Sequence, residues 1–151
     1  MSFARKVIVA VGLTDSVAST DGMEDLKEMS FLKDCEIHFV HVFETINYSA
    51  IFGEFTAVYP VENERDLIEK SVIVTLTESS KSLLPKDFSG KIYYKCLFGE
   101  NQKLKFSEYV EQSEADLVIV HTRKKRGLFE SSFAQYVNRH TNVSMIFLKN
   151  R

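Results

Sequence analysis

The sequence predicts an α/β fold: a three-layer α/β/α sandwich on a five-stranded parallel sheet, doubly wound in the order 3-2-1-4-5, with helices on both faces. Three observations predict it. KVIVAV (6–11) and DLVIV (116–120) are nearly unbroken apolar runs, the pattern of strands buried on both faces of a parallel sheet. Segments of helical period separate five such strand-like runs, giving the order β-α-β-α-β-α-β-α-β. Right-handed crossovers between those strands then place helices on both sides.

Each element has its own signal. The first strand is KVIVAV (6–11), and the first helix is expected over Met23–Lys33, opened by Asp21-Gly22-Met23-Glu24, an acidic version of the capping pattern. CEIHFVHVF (35–43) is the second strand. A second helix is expected from about Val61 to Leu84, with Leu67, Ile68, Val72, Leu76 and Leu83 on one side. Its centre, SVIVTLT, has strand propensity, but its length and the stop at Pro85 favour helix. KIYYKCLF (91–98) follows as a strand. Gln102–Ser113 presents Phe106, Tyr109, Val110 and Ser113 at helical spacing. After DLVIV, a short helix follows Ser131 and ends at His140, a residue suited to the negative end of a helix dipole. VSMIFLK (143–149) closes the sheet. The connection from Glu44 to Pro60 is rich in aromatics and is expected to pack over one end of the sheet or against a partner.

The totals exclude several classes. A chain of 151 residues with 44% hydrophobic and 26% charged content is neither disordered nor membrane-embedded, and one domain over 1–151 is expected. A net charge of -2 gives no global attraction to nucleic acid. The N-terminal MSFARKVIVAVG lacks the apolar core and cleavage site of a secretory signal, and no later run is long enough to span a bilayer. A cytoplasmic location is the resulting expectation. Cys35 and Cys96 sit at opposite ends of their strands, which argues against a disulfide.

Taken in order, these strings resemble the universal stress protein family. KVIVAV is similar to its first strand, EIHFVHVFE to its second with histidines at 38 and 41, EADLVIVHTR to its fourth strand and turn, and VNRHTNVSMIFLK to its last helix end and final strand. The resemblance covers almost the whole chain. It implies a nucleotide cleft at the carboxyl ends of the first and fourth strands, with a signature G-x2-G-x9-G-[S/T] after the fourth. Glycines there let backbone N–H groups reach phosphates at a helix N-terminus.

The sequence departs from that signature. His121 stands in place of the first glycine and Lys124 in place of the second. The third position falls at Ala134-Gln135 or at Ser131-Ser132, and the second alignment makes Ser132 to Gln135 a capping box. An acidic residue expected after the first strand is replaced by Gly12, with Asp15 three residues on. The resemblance therefore implies ligand-binding candidates Val11, Gly12, Val40, His121, Arg123, Lys124, Gly127, Ser131 and Ser132, but not the usual ATP mode. A basic run at Arg123–Arg126 could hold a small anion, or be a solvated turn.

No catalytic residue and no metal set emerges. Ser131 and Ser132 lack a His–Asp partner set, and His38 and His41 lie on opposite faces of one strand, where packing explains them best. His121 ends the fourth strand inside the implied cleft, as a steric plug, a ligand contact or a pH-sensitive group. The final strand is apolar on both alternations, so Val143, Met145 and Phe147 are candidates for a homodimer interface across a two-fold axis. The expected role is binding or signalling in a stress response, without enzyme activity, cofactor, nucleic acid or membrane. The alternatives are ATP or another adenine nucleotide held by a divergent loop, with slow hydrolysis or phosphotransfer, and a protein-interaction module acting through residues 46–59.

Overall fold

In the computed structural model the described residues are 5–14, 17–19, 23–47, 58–59, 62–122 and 130–149. Five strands form one sheet: β1 (Lys6–Ala10), β2 (Glu36–Glu44), β3 (Lys91–Gly99), β4 (Leu117–Thr122) and β5 (Ser144–Lys149). All four pairings are parallel, and the order is β3-β2-β1-β4-β5, as the sequence predicts. Helices α1 (Glu62–Ser80), α2 (Gln102–Gln112) and α3 (Glu130–His140) complete the layers.

Two cores lie on either side of the sheet. Val7, Val9, Ile37, Phe39 and Ile119 pack on one face with Val72 and Leu76 of α1. Ile8, Val40, Val42, Val118 and Val120 pack on the other with Phe106 and Val110 of α2 and Ala134 and Val137 of α3. The alternation of β1 between the two clusters is why KVIVA reads as a continuous apolar run: both its faces are covered. Phe106 and Phe133 meet at 5.2 Å between ring centroids and join the two helices of the second layer.

The first helix is a correction. Over Met23–Cys35 the chain forms two 3-10 helices, Glu24–Glu28 and Ser30–Asp34, not one α-helix. The apolar residues Met23, Leu26, Met29, Leu32 and Cys35 recur strictly every third position, the period of a 3-10 helix, whose side chains at i and i+3 eclipse. The same five residues carry the bonds: each N–H from Leu26 to Cys35 donates to the carbonyl three back, at 3.0–3.1 Å. Four of the five are buried. Met23 has no side-chain cap, and Asp21 lies outside the described residues.

Other boundaries shift for local reasons. Helix α1 stops at Ser80, short of Leu84, and the Ser80 and Ser82 hydroxyls bond back to the carbonyls of Thr77 and Ser79. Helix α3 starts at Glu130, so Ser131 and Ser132 fall inside its first turn and Ser132 is no N-cap; an acidic first residue suits the positive end of the helix dipole. Strand β1 ends at Ala10, and Gly12–Thr14 turns into an antiparallel ribbon with Val17–Ser19, which the sequence reading did not anticipate. A second ribbon pairs Ile46–Asn47 with Val58–Tyr59; residues 48–57 of the aromatic connection lie outside the described residues.

Candidate functional site

Strand order makes the carboxyl ends of β1 and β4 the place where the chain departs in opposite directions, the usual ligand crevice of a doubly wound sheet. The rim there is notched. Ala10, the end of β1, pairs with Val40, while β2 runs on to Glu44. On the other side Val9 pairs with Ile119, and β4 runs on to Thr122. Val11 therefore forms the floor of a gap between two longer strands.

The register continues across that gap. One residue beyond Ala10 and Val40, Val11 lies in the row of His41; two beyond Val9 and Ile119, it lies in the row of His121. His41 pairs in turn with Cys96, and His121 with Leu148. The row is Cys96–His41–Val11–His121–Leu148, and residues of one row share a face. Cys96, Val11 and Leu148 all belong to the core beneath α1. Two imidazoles thus flank Val11, their Cα atoms about 10 Å apart across two strand spacings.

His41 is the better defined of the two. The residue is 6% exposed, and Nδ1 lies 2.8 Å from the carbonyl oxygen of Val11. A carbonyl can only accept, so Nδ1 carries the hydrogen and donates it. Burial pushes the His41 pKa down, against the opposing pull of the Val11 carbonyl. Val11 is held at its other end too, where its N–H donates to the Val40 carbonyl at 2.9 Å. Nearby, the Gln102 amide donates to the Val42 carbonyl at 2.8 Å and the Thr45 N–H to the Gly99 carbonyl at 2.9 Å, fixing the start of α2 to the same rim.

Of the residues singled out from the sequence, Val11, Val40 and His121 are brought to this rim. Val40 is buried in the core beneath α2 and α3, with its carbonyl engaged by Val11. His121 is half-buried at the end of β4. Gly12 opens the ribbon, paired with Ser19. Arg123, Lys124 and Gly127 lie outside the described residues, and Ser131 and Ser132 are described only as the first turn of α3. His41, read from the sequence as a packing histidine, is buried and donates to the Val11 carbonyl. The register of β2 against β1, which puts it beside Val11, carries no signal in the sequence.

Cys96 closes the row but is no nucleophile: burial first, then Glu69, pushes its thiol up to about 12, with Lys95 opposing. Cys35 is also buried and free. It lies about 20 Å from Cys96 along the strands, six residues away in register. Among the described residues no group of three or more His, Cys, Asp or Glu side chains could hold a metal, and no helix is long and apolar enough to cross a membrane. His38 points to the opposite face from His41, toward Tyr109 of α2, as the strand alternation predicts.

Solved structures share this arrangement. The hypothetical protein PH0823 aligns with a TM-score of 0.68 at 17% identity, over 97% of this chain and 96% of its own. A universal stress protein from Archaeoglobus fulgidus aligns at 0.63 and 16% identity, over 97% and 100%. A universal stress protein family protein from Arabidopsis thaliana, solved with AMP bound, aligns at 0.57 and 16% identity, over 97% and 92%. At such identities the likeness shows the fold. No curated protein matches the chain in sequence. The family model, however, matches residues 4–149, nearly its whole length, and on that match the chain belongs to the universal stress protein family.

Proposed function

We propose that this universal stress protein acts in the cytoplasm by binding and signalling within a stress response, without catalysis, and that its cleft has lost the family's usual triphosphate grip. The observation that carries this reading is at Gly12. Where the resemblance calls for an acidic residue there is no side chain, and the backbone enters an antiparallel ribbon opposite Ser19. The sequence after β4 adds four cations, Arg123 to Arg126, one of which, Lys124, stands in place of a glycine, which suits attraction of a small anion better than backbone cradling of a phosphate chain. The test is calorimetry with ATP-Mg, joined to analysis of nucleotide released from freshly purified protein. Negligible heat and no carried-over ATP are expected; micromolar binding or co-purified ATP refutes the reading.

A second reading, an adenine nucleotide held through Arg123, Lys124 and Ser132, is favoured by the AMP bound to the Arabidopsis relative. The same experiment separates the two.

The protein is further proposed to be a homodimer through β5. The two edges of the sheet differ. On β3, Lys91 and Lys95 are exposed on either side of the exposed Tyr93, and their charges oppose pairing with a second β3. Val143, just before β5, and Met145 on it are partly buried against the core, and Phe147 is 44% exposed with no charge beside it before Lys149. An edge so composed is covered most simply by its own copy across a two-fold axis. A partner protein docked through residues 46–59 is a separate possibility, tested by Phe52→Ser and Phe55→Ser: unchanged pull-down partners refute it.

A further inference from the structure

We infer that the edge of β3 takes up an extended acidic segment of a partner protein as a sixth strand, its carboxylates meeting Lys91 and Lys95 on either side of Tyr93. This surface is separate from the cleft, and β5 lies at the opposite edge of the sheet.

The backbone supplies the template. β3 is nine residues long and ends the sheet, and among the described residues only β2 pairs with it. The Gly99 carbonyl accepts from the Thr45 N–H, just past the end of β2, so Gly99 turns its backbone groups inward. A strand residue directs its N–H and C=O to one side, and that side alternates along the chain. Lys91, Tyr93, Lys95 and Leu97 therefore bond toward β2, while Ile92, Tyr94, Cys96 and Phe98 present their N–H and C=O groups outward. The side chains of those four pack in the core beneath α1, so the outward row is fixed in place. Such a row pairs readily with another extended chain.

The side chains select which chain. On the other face Lys91, Tyr93 and Lys95 are exposed, Tyr93 by 45%. Tyr93 stacks on His38 at 4.8 Å, which holds one side of its ring. Among the described residues neither lysine makes an ion pair. A second copy of β3 pairing antiparallel about Tyr93 would set Lys91 against Lys95, and like charges opposite each other repel. A strand with Asp or Glu at those two positions and an aromatic residue between them meets both charges and the Tyr93 ring. A single-stranded nucleic acid would meet the same three side chains but leave the outward backbone row unpaired, which favours the peptide.

The test titrates the full chain with a blocked peptide of core Asp-Thr-Tyr-Thr-Asp, with its counterpart carrying lysine for aspartate, and with an oligouridylate. The acidic peptide is expected to bind about tenfold more tightly than the basic one. The double variant Lys91→Glu, Lys95→Glu is expected to reverse that order. Amide hydrogen exchange should slow on binding at Ile92, Tyr94, Cys96 and Phe98, more than at Lys91, Tyr93 and Lys95. No binding of the acidic peptide at millimolar concentration, equal binding of the two peptides, or protection on β5 instead overturns the inference. Binding of the oligouridylate in preference to the acidic peptide, without protection of the four amides, overturns it in favour of a nucleic-acid surface. Should the double variant not fold, the wild-type preference and the exchange pattern decide it.

Discussion

The hydroxyl of Tyr109 lies 3.1 Å from Nδ1 of His38, and this contact ties helix α2 to strand β2. The other ring nitrogen, Nε2, lies 2.9 Å from Oε2 of Glu36, whose carboxylate can only accept. In the neutral ring the hydrogen therefore sits on Nε2, and Nδ1 accepts from the phenol. Tyr93 stacks on the imidazole at 4.8 Å, and Lys6 approaches Glu36 at 3.8 Å. Tyr109→Phe removes the donor to Nδ1 and should cost about 1 kcal/mol in urea unfolding, without changing the midpoint slope. An unchanged midpoint would mean that solvent replaces the bond without loss.

His41 makes stability depend on pH. Its pKa in the folded chain lies below the unfolded value of about 6.5, so the unfolded state takes up its proton first on acidification. The contribution is whole above that value and is lost as pH falls through it toward the folded pKa. The denaturation midpoint of the wild type should decline from about pH 7 to about pH 5 more steeply than that of His41→Asn. Parallel curves would contradict this.

Among the described residues Glu114 is the non-glycine residue with positive φ, 53°, and it ends the turn after α2, where its N–H reaches the Glu111 carbonyl at 3.3 Å. That left-handed position favours glycine. Glu114→Gly should stabilise the protein by up to about 1 kcal/mol, read as a higher melting temperature. A lower one would show that the glutamate side chain contributes more than the backbone conformation costs.

Phe147→Lys places a charge on the β5 edge. Sedimentation should show the wild type as a dimer and the variant as a monomer at micromolar concentration. A wild type that stays monomeric at every concentration removes the proposed interface.

The interior place of β1 and β4 in the sheet was legible because it follows from burial. Residues such as Val7, Ile8 and Val9 alternate between two covered faces and leave a run that no half-exposed strand would carry. What hid from the sequence was register and tight geometry. That His41 packs against the Val11 carbonyl, one residue beyond the end of β1, could not be read from the sequence. The period of Met23, Leu26, Met29, Leu32 and Cys35 was present in the sequence, yet helical expectation overrode a three-residue repeat. The ribbon at Gly12–Ser19 gave even less warning, because three-residue strands carry almost no pattern.

That three-residue repeat has a consequence for how the chain can vary. A 3-10 helix has three residues per turn, so in each of the two helices, Glu24–Glu28 and Ser30–Asp34, residues three apart lie on one side. Each added or deleted residue turns the rest of the stripe by about 120°, which takes every apolar side chain beyond it off the sheet. Length changes in this crossover should therefore be tolerated only in threes. A single inserted alanine after Ser30 should disrupt the fold more than three inserted together.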